Sequence, residues 1–160
     1  MYGIDYLKTF APVAKLVSLR LLLSIAVKYN LEVHQMDVKS ASLAGDLDEV
    51  IYMAQPEGFV VKGGLICKLI KSLYGLKQSP RQWNNKIHQF LVSIGSVRTN
   101  ADHCVYINTT MSVIIAMWVN DLMIFAKDKV TINDVKSKLN ESFNMKDLGE
   151  LEYFLGIQVN

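Results

Sequence analysis

Residues 113–126 read VIIAMWVNDLMIFA, two apolar runs of strand length that are separated by the polar pair Asn120 and Asp121. A two-residue polar break between β-forming runs predicts a tight hairpin, because Asn and Asp tolerate the backbone angles of such a turn and the flanking residues do not. The pattern therefore predicts Asp121 at an exposed hairpin tip. Taken alone, the pair indicates only a turn, since most such pairs carry no chemistry.

A second aspartate, Asp37, ends another predicted strand, residues 31–37, whose sequence is LEVHQMD. Asp37 and Asp121 both fall at strand ends, so adjacent strands would bring the two carboxylates together. Two close carboxylates beside a basic surface suit two-metal phosphoryl transfer, because Mg²⁺ prefers oxygen ligands and a pair of ions clamps the attacking and leaving oxygens. The alternative is two unrelated turn aspartates, and spacing alone favours that alternative.

The composition predicts one domain with surface that another segment covers. A chain of 160 residues suffices for one core. With 51% hydrophobic and 20% charged residues, it is more apolar than an average soluble domain. The net charge of +2 indicates no particular partner, so the distribution of charge matters more than its total.

Cysteine and histidine usage excludes several classes of protein. Cys67 and Cys104 are too few for a disulfide scaffold and match no metal motif, so we expect reduced core thiols in an intracellular protein. The three histidines lack ligand spacing, which argues against an imidazole metal site. The apolar stretch 113–126 is too short to span a bilayer, so no membrane partner is expected.

The periodicity of the whole chain predicts an α+β fold, with helices packed on one face of an antiparallel sheet. Predicted helices cover residues 18–29, capped by Ser18 and stopped by Asn30, residues 79–94, opened by Ser79 and Pro80, and a segment from Thr131 with a Thr131–Asp134 capping box. Predicted strands cover residues 31–37, 50–53, 104–107 and 148–160, besides the hairpin.

A basic span runs from Phe59 to Ala101 and contains no acidic residue. Its basic residues are Lys62, Lys68, Lys71, Lys77, Arg81, Lys86 and Arg98. Such a block is usually a solvated face, but a span of this length with a glycine loop and aromatic residues favours a phosphate-rich partner. We therefore predict nucleic-acid contact over plain solubility.

Six segments carry a resemblance to a known family. They are GIDYLKTFAPVAK, HQMDVKSASLAGDLDEVIYMAQPEGF, ICKLIKSLYGLKQSPRQW, DHCVYI, WVNDLMI and FNMKDLGELEYFLGIQV. In order and spacing they resemble the reverse transcriptase of copia-type retrotransposon Pol polyproteins, and the match covers essentially the whole chain. The resemblance implies the palm of a right-hand polymerase, RNA-directed DNA synthesis from deoxynucleoside triphosphates on an RNA or DNA template-primer, and two Mg²⁺ ions.

The resemblance also assigns residues to roles. Asp37 is similar to the family's first metal-binding aspartate, with the Val38 carbonyl facing the metals, and Asn120 and Asp121 stand where Tyr-Val-Asp-Asp supplies its acidic pair. The implied nucleotide-binding residues are Ser42, Tyr74 and Gly75. The implied nucleic-acid-binding residues are Lys68, Lys71, Lys77, Ser79, Pro80, Arg81, Lys86, Leu155 and Gly156, the last two in the primer-gripping run 151–159.

Departures from the family pattern predict impaired catalysis. Asn120 replaces the first acid of the pair, Trp118 replaces its tyrosine, and Ser42 stands where an aromatic residue bars the 2′-hydroxyl. We also expect one truncated palm domain, residues 1–160, that lacks upstream fingers strands, thumb and RNase H and that has the rest of the Pol polyprotein as its partner. The alternatives are a co-opted nucleic-acid-binding module without catalysis and a remnant of a decayed element.

Overall fold

The structure, a computed structural model, describes residues 9–159 without the side chain of Ile157. It divides into two compact units. The first unit comprises Ala41–Ile87 with the described residues before Pro12, and the second comprises Pro12–Ser40 with the chain from His88 onward. The assignment of the chain to one palm domain stays a prediction.

The helices and strands alternate along the chain. In order they are α1 Leu16–Tyr29, β1 Glu32–Val38, α2 Ala41–Ala44, β2 Tyr52–Met53, β3 Cys67–Lys68, α3 Ser79–Ser93, β4 Val97–Arg98, β5 Val105–Asn108, β6 Val113–Trp118, β7 Asp121–Ala126, α4 Lys129–Ser142, β8 Met145–Glu150, β9 Tyr153–Phe154 and β10 Ile157–Gln158. Six strands form the main sheet in the order β4-β5-β6-β7-β1-β8. Every neighbouring pair in that sheet is antiparallel, which confirms the predicted α+β class with an antiparallel sheet.

The β6–β7 hairpin forms where the sequence predicts it, but its turn lies one residue earlier. Trp118 and Asp121 are the last paired residues, so Val119 and Asn120 make the turn. The predicted exposed tip position of Asp121 is therefore wrong, because Asp121 begins β7 and is half-buried. Val119 rather than the polar pair takes the left-handed backbone, with φ of +55°.

One face of the main sheet carries helices α3 and α4. Tyr106, Ile115, Ile124 and His34 form a row of register partners across β5, β6, β7 and β1, so their side chains share a face. The His88 ring on α3 lies 3.2 Å from the Tyr106 hydroxyl oxygen, measured from Nδ1. Lys136 on α4 lies 2.8 Å from His34. Both helices therefore cover this face, as the pattern predicted.

The apolar core follows the predicted periodicity. The buried apolar residues of the helices and central strands include Trp83, Ile87, Leu91, Ile132, Val135 and Leu139 from the helices and Met36, Ile115, Leu122, Ile124 and Phe125 from the strands. Those strands are short and rich in branched and aromatic residues, which suits a sheet that is covered on its faces. Helices α3 and α4 thus each bury apolar side chains.

Two predicted helix caps are wrong, although the helices exist. α1 begins at Leu16, after Lys15, so Ser18 lies inside the helix rather than capping it. The predicted stop is confirmed, since Asn30 takes a left-handed φ of +50°. α4 is capped by Asp128, whose carboxylate accepts from the Thr131 backbone N–H at 2.8 Å, so Thr131 is a donor and not the cap.

The C-terminal stretch forms three short strands instead of the single predicted one. β8 ends at Glu150, and β9 and β10 then form a separate hairpin with Phe154 paired to Ile157. Leu155 and Gly156 make its turn, and both have positive φ, +50° and +77°. Two such residues close a tight hairpin with the twist that antiparallel strands need.

Candidate active site

The sheet face opposite to α3 and α4 carries a row of four side chains at one end. Trp118 on β6 pairs with Asp121 on β7, Asp121 pairs with Asp37 on β1, and Asp37 pairs with Lys146 on β8. Register partners in antiparallel strands point to the same face. The two carboxylates are therefore direct neighbours, on the face opposite to α3 and α4.

Asp121 is held by a neighbouring amide. The Gln35 side chain donates from Nε2 to Asp121 Oδ1 at 2.9 Å. Burial raises the pKa of Asp121, the Gln35 hydrogen bond acts in the opposite direction, and the charge of Asp37 raises the pKa further. The negative charge of Asp37 is thus close enough to act on Asp121, as a shared cation site requires.

The turn of the hairpin is fastened to the end of β1. The Val38 backbone N–H donates to the Asn120 carbonyl oxygen at 3.1 Å. The Val38 side chain is buried, while Asn120 is exposed. This bond fixes the end of the strand that carries Asp37 against the turn that precedes Asp121.

The donor set of this row suits a hard divalent cation. Asp37 and Asp121 offer carboxylate oxygens on one face, and both are partly accessible. Asn120 contributes no carboxylate, so the charge is lower than that of a three-carboxylate site. Lys146 is exposed at the end of the row.

Sequence reasoning missed Lys146 and Gln35, because only the strand register reveals their neighbours.

Trp118 links the row to the C-terminal hairpin. Its ring stands edge-on to Phe154, with centroids 6.4 Å apart and an interplanar angle of 89°. Phe154 is buried, whereas Leu155 at the turn is exposed. The β9–β10 turn with Leu155 and Gly156, predicted to contact nucleic acid, is thus anchored to the strand that ends beside Asp121.

The predicted nucleotide-binding residues lie in the first unit. Tyr74 is 92% exposed, and Gly75 follows it with φ of +93°. Ser42 is half-buried, and its carbonyl oxygen accepts from the Ser72 hydroxyl. Ser79 is buried, and its hydroxyl donates to the Leu73 carbonyl oxygen at 2.5 Å, so it braces the loop that enters α3. The assignment of Ser42, Tyr74 and Gly75 to nucleotide binding stays a prediction.

Part of the predicted basic surface is paired with acids. Arg81 lies 3.5 Å from Asp48, and Lys86 lies 2.6 Å from Asp46, each measured between nitrogen and carboxylate oxygen. Both acids precede the acid-free span, so a count along the span missed them. The side chains of Lys68, Lys71 and Lys77 are exposed, as is Pro80. These residues stay predictions for nucleic-acid contact.

A second polar cluster lies on the helix-bearing face of the sheet. One ligand atom each from Glu32, His34 and Glu150 lies within 4.8 Å of the others. Lys129 already bridges the two glutamates, at 3.9 Å from Glu32 and in a short contact with Glu150. Buried Lys136 lies 2.8 Å from His34 Nδ1, and burial and this lysine lower the pKa of His34. Because two ammonium groups line the cluster, we do not assign a metal to it.

The cysteines are unpaired, as the sequence predicts. Cys104 is buried and Cys67 is half-buried. Burial raises the pKa of the Cys104 thiol to about 11, so this thiol is neutral and unreactive near neutral pH. Within residues 9–159, no helix is both long and apolar enough to cross a membrane.

Comparison with known proteins assigns the family. The family model described as reverse transcriptase (RNA-dependent DNA polymerase) matches residues 1–160, so the chain belongs to this family. Its relatives narrow the assignment. The Pol polyprotein of transposon TNT 1-94 from Nicotiana tabacum is 48% identical, and that of transposon RE1 from Arabidopsis thaliana is 39% identical, each over 98% of this chain. The sequence is thus that of a copia-type retrotransposon reverse transcriptase domain.

The relatives are much longer than this chain. The chain spans 12% of the tobacco polyprotein and 11% of the RE1 polyprotein. The Ty1-GR3 Gag-Pol polyprotein of Saccharomyces cerevisiae is 33% identical over 86% of the chain, which spans 8% of its length. The chain therefore corresponds to one segment of a polyprotein.

Proposed function

We propose that this chain is a polymerase palm whose ancestral reaction is template-directed DNA synthesis. The observation that carries the proposal is the pairing of Asp37 with Asp121 on the sheet face opposite to α3 and α4. Nucleotidyl transfer requires adjacent carboxylates at a surface that a polynucleotide can reach. Membership of the reverse transcriptase family supports the same reaction class.

In this proposal, three groups of residues have different roles. Asp37, Asp121 and the Val38 carbonyl would hold Mg²⁺, which, when bound, neutralises and orients phosphate oxygens. Trp118 and Phe154 hold the β9–β10 hairpin, so that Leu155 and Gly156 contact the primer strand. The exposed lysines Lys68, Lys71 and Lys77 contribute to binding of the RNA or DNA template-primer through its phosphates.

We further propose that catalysis is impaired. Asn120 leaves the bound cations and the triphosphate short of one negative charge. A loss of about 3 kcal/mol in transition-state stabilisation corresponds to a rate roughly a hundredfold lower. Ser42 removes the aromatic ring expected under the sugar, so discrimination against ribonucleotides should weaken as well. The remaining segments of the Pol polyprotein are its natural partners.

A second candidate is a nucleic-acid-binding module that no longer catalyses. The replacement of an acid by Asn120 favours it, since binding through phosphates does not need the full acidic set. This candidate and the palm differ in one respect. Only the palm gains polymerase activity when the acid is restored.

Primer extension on a homopolymer template tests the proposal. We expect the chain to extend the primer slowly at best and Asn120→Asp to raise the rate about a hundredfold, because it restores the missing charge. Asp37→Asn in the Asn120→Asp background is the control and should abolish the gain. Robust extension by the unmodified chain would refute the impairment, and no gain in Asn120→Asp would favour the binding module.

A further inference from the structure

Gln35 is a partly exposed polar side chain on the same sheet face as Asp37 and Asp121, and its hydrogen-bond partner is one of these two acids. It precedes Asp37 by two residues on β1, so the two share a face. Its Nε2 lies 2.9 Å from Asp121 Oδ1, across the strand pair. The Gln35 amide therefore connects β1, the strand that carries Asp37, to the Asp121 carboxylate on β7.

The surroundings of Gln35 allow it to reach Asp121. Its register partner on β7 is Met123, which is buried, and its partner on β8 is Gly149, which has no side chain. The β1–β8 register shifts between Gln35 and Met36, next to this pair. The side chain can thus lean along the strand toward Asp121 without competition from a neighbour on β8.

A neutral donor beside Asp121 leaves the charge of the carboxylate in place, whereas a charged side chain would not. A lysine would cancel the charge of Asp121, and a glutamate would repel it. The Gln35 amide occupies one oxygen of the carboxylate, fixes its orientation and leaves its full charge and its second oxygen for a cation. Partners that orient metal ligands in this way typically contribute about 10- to 100-fold to metal affinity.

We propose that Gln35 is a positioning residue, which orients the Asp121 carboxylate for divalent cation binding. The proposal rests on the proposed function, because it presumes that Asp37 and Asp121 share a cation. It adds a residue outside the acidic set whose loss should weaken metal binding without removing a ligand. The residue acts through Asp121 and needs no contact with the cation.

Calorimetric titration of the full chain with Mn²⁺ as the probe tests this. Gln35→Met removes the donor at similar volume and should weaken the Asp37-dependent Mn²⁺ binding about 10- to 100-fold. Gln35→Asn keeps an amide but is one methylene shorter and should weaken it too. The matched control is Gln82→Met, because Gln82 Nε2 donates to Asp48 Oδ2 at 3.0 Å, another amide–carboxylate bond, in the first unit. The Mn²⁺ affinity of Gln82→Met should equal that of the unmodified chain.

The outcomes separate the two proposals. If Asp37→Asn abolishes Mn²⁺ binding while folded Gln35→Met and Gln35→Asn bind as the unmodified chain does, the role of Gln35 is refuted and the cation site stands. If Asp37→Asn has no effect on Mn²⁺ binding, both the cation site and the role of Gln35 are refuted. Thermal melting of each variant confirms that it is folded. Equal weakening in Gln82→Met would also count against a specific role for Gln35.

Discussion

Val119 is the most unusual residue of the hairpin, because a branched side chain stands at a left-handed backbone position. Its φ is +55° and its side chain is half exposed. Branched residues are genuine outliers there, and such strain costs about 1–3 kcal/mol. The next residue, Asn120, receives the hydrogen bond from Val38. The strain is thus stored in the turn between the strand ends that carry the candidate site.

Val119→Asn should stabilise the protein. Asn tolerates a left-handed φ better than a branched residue does, so we expect a gain of about 0.5–1 kcal/mol in the free energy of unfolding, measured with urea. Val50→Asn is the control, since Val50 is exposed and its φ is not positive. A loss of stability in Val119→Asn, or an equal gain in Val50→Asn, would contradict the strain.

The hairpin also explains why its turn was predicted one residue too late. The sequence offers Asn120 and Asp121 as natural turn residues, whereas the pairing of Trp118 with Asp121 leaves only Val119 and Asn120 for the turn. Cross-strand pairing therefore outweighed the local backbone preference of valine. Residues 113–126 alone predict that a hairpin forms, but its register depends on the neighbouring strands β1 and β5.

Among the elements, α1 is fixed at its start by a distant carboxylate. Buried Asp102 accepts from the Lys15 backbone N–H at 2.7 Å and from the Cys104 backbone N–H at 2.9 Å. Burial acts to raise the pKa of Asp102, but these bonds and one from Ser18 outweigh it and hold the pKa below its ordinary value. Ser18, predicted as a cap, thus contributes through Asp102.

Asp102→Asn should destabilise the protein at neutral pH. Replacing a charged acceptor of several buried hydrogen bonds should lower the free energy of unfolding by about 2 kcal/mol. Because the folded-state pKa is depressed, the contribution is complete above the ordinary aspartate pKa of about 3.9 and disappears as the pH falls through the folded-state value. Urea unfolding across this pH range should show that the difference in unfolding free energy between the unmodified protein and Asp102→Asn decreases as the pH falls.

The control for Asp102 is an exposed aspartate on α4. Asp134 lies 2.6 Å from Lys138, one helical turn on. Exposed pairs of this kind contribute little, so Asp134→Asn should change the free energy of unfolding by less than about 0.5 kcal/mol. An effect of Asp102→Asn as small as that, or one unchanged at acid pH, would contradict the role of the buried carboxylate.

At the scale of the whole molecule, the sheet separates two kinds of surface. Helices α3 and α4 cover one face, while the opposite face presents the row from Trp118 to Lys146. Asp37 and Asp121 are both partly exposed on that opposite face. This arrangement follows from strand alternation, since residues two apart along β1, such as Gln35 and Asp37, share a face.

The sequence predicted the sheet class and the neighbourhood of Asp37 and Asp121, because strongly apolar strands and their polar ends are local signals. It did not predict the contacts of Gln35 or Lys146, which depend on the register between strands far apart in sequence. It also missed the pairing of Arg81 with Asp48, because that acid lies in a preceding loop. Short strands such as β3 and β4 carry too few residues to show a period.

The most direct test of the account is a double-mutant cycle on Mn²⁺ affinity. The affinity is measured by calorimetry for the unmodified chain, Asp37→Asn, Asp121→Asn and the double variant. If the two carboxylates hold a shared cation, each single change should remove most of the binding, and the double change should add little beyond either one. Single variants that bind Mn²⁺ as the unmodified chain does, or losses that simply add, would contradict a shared site.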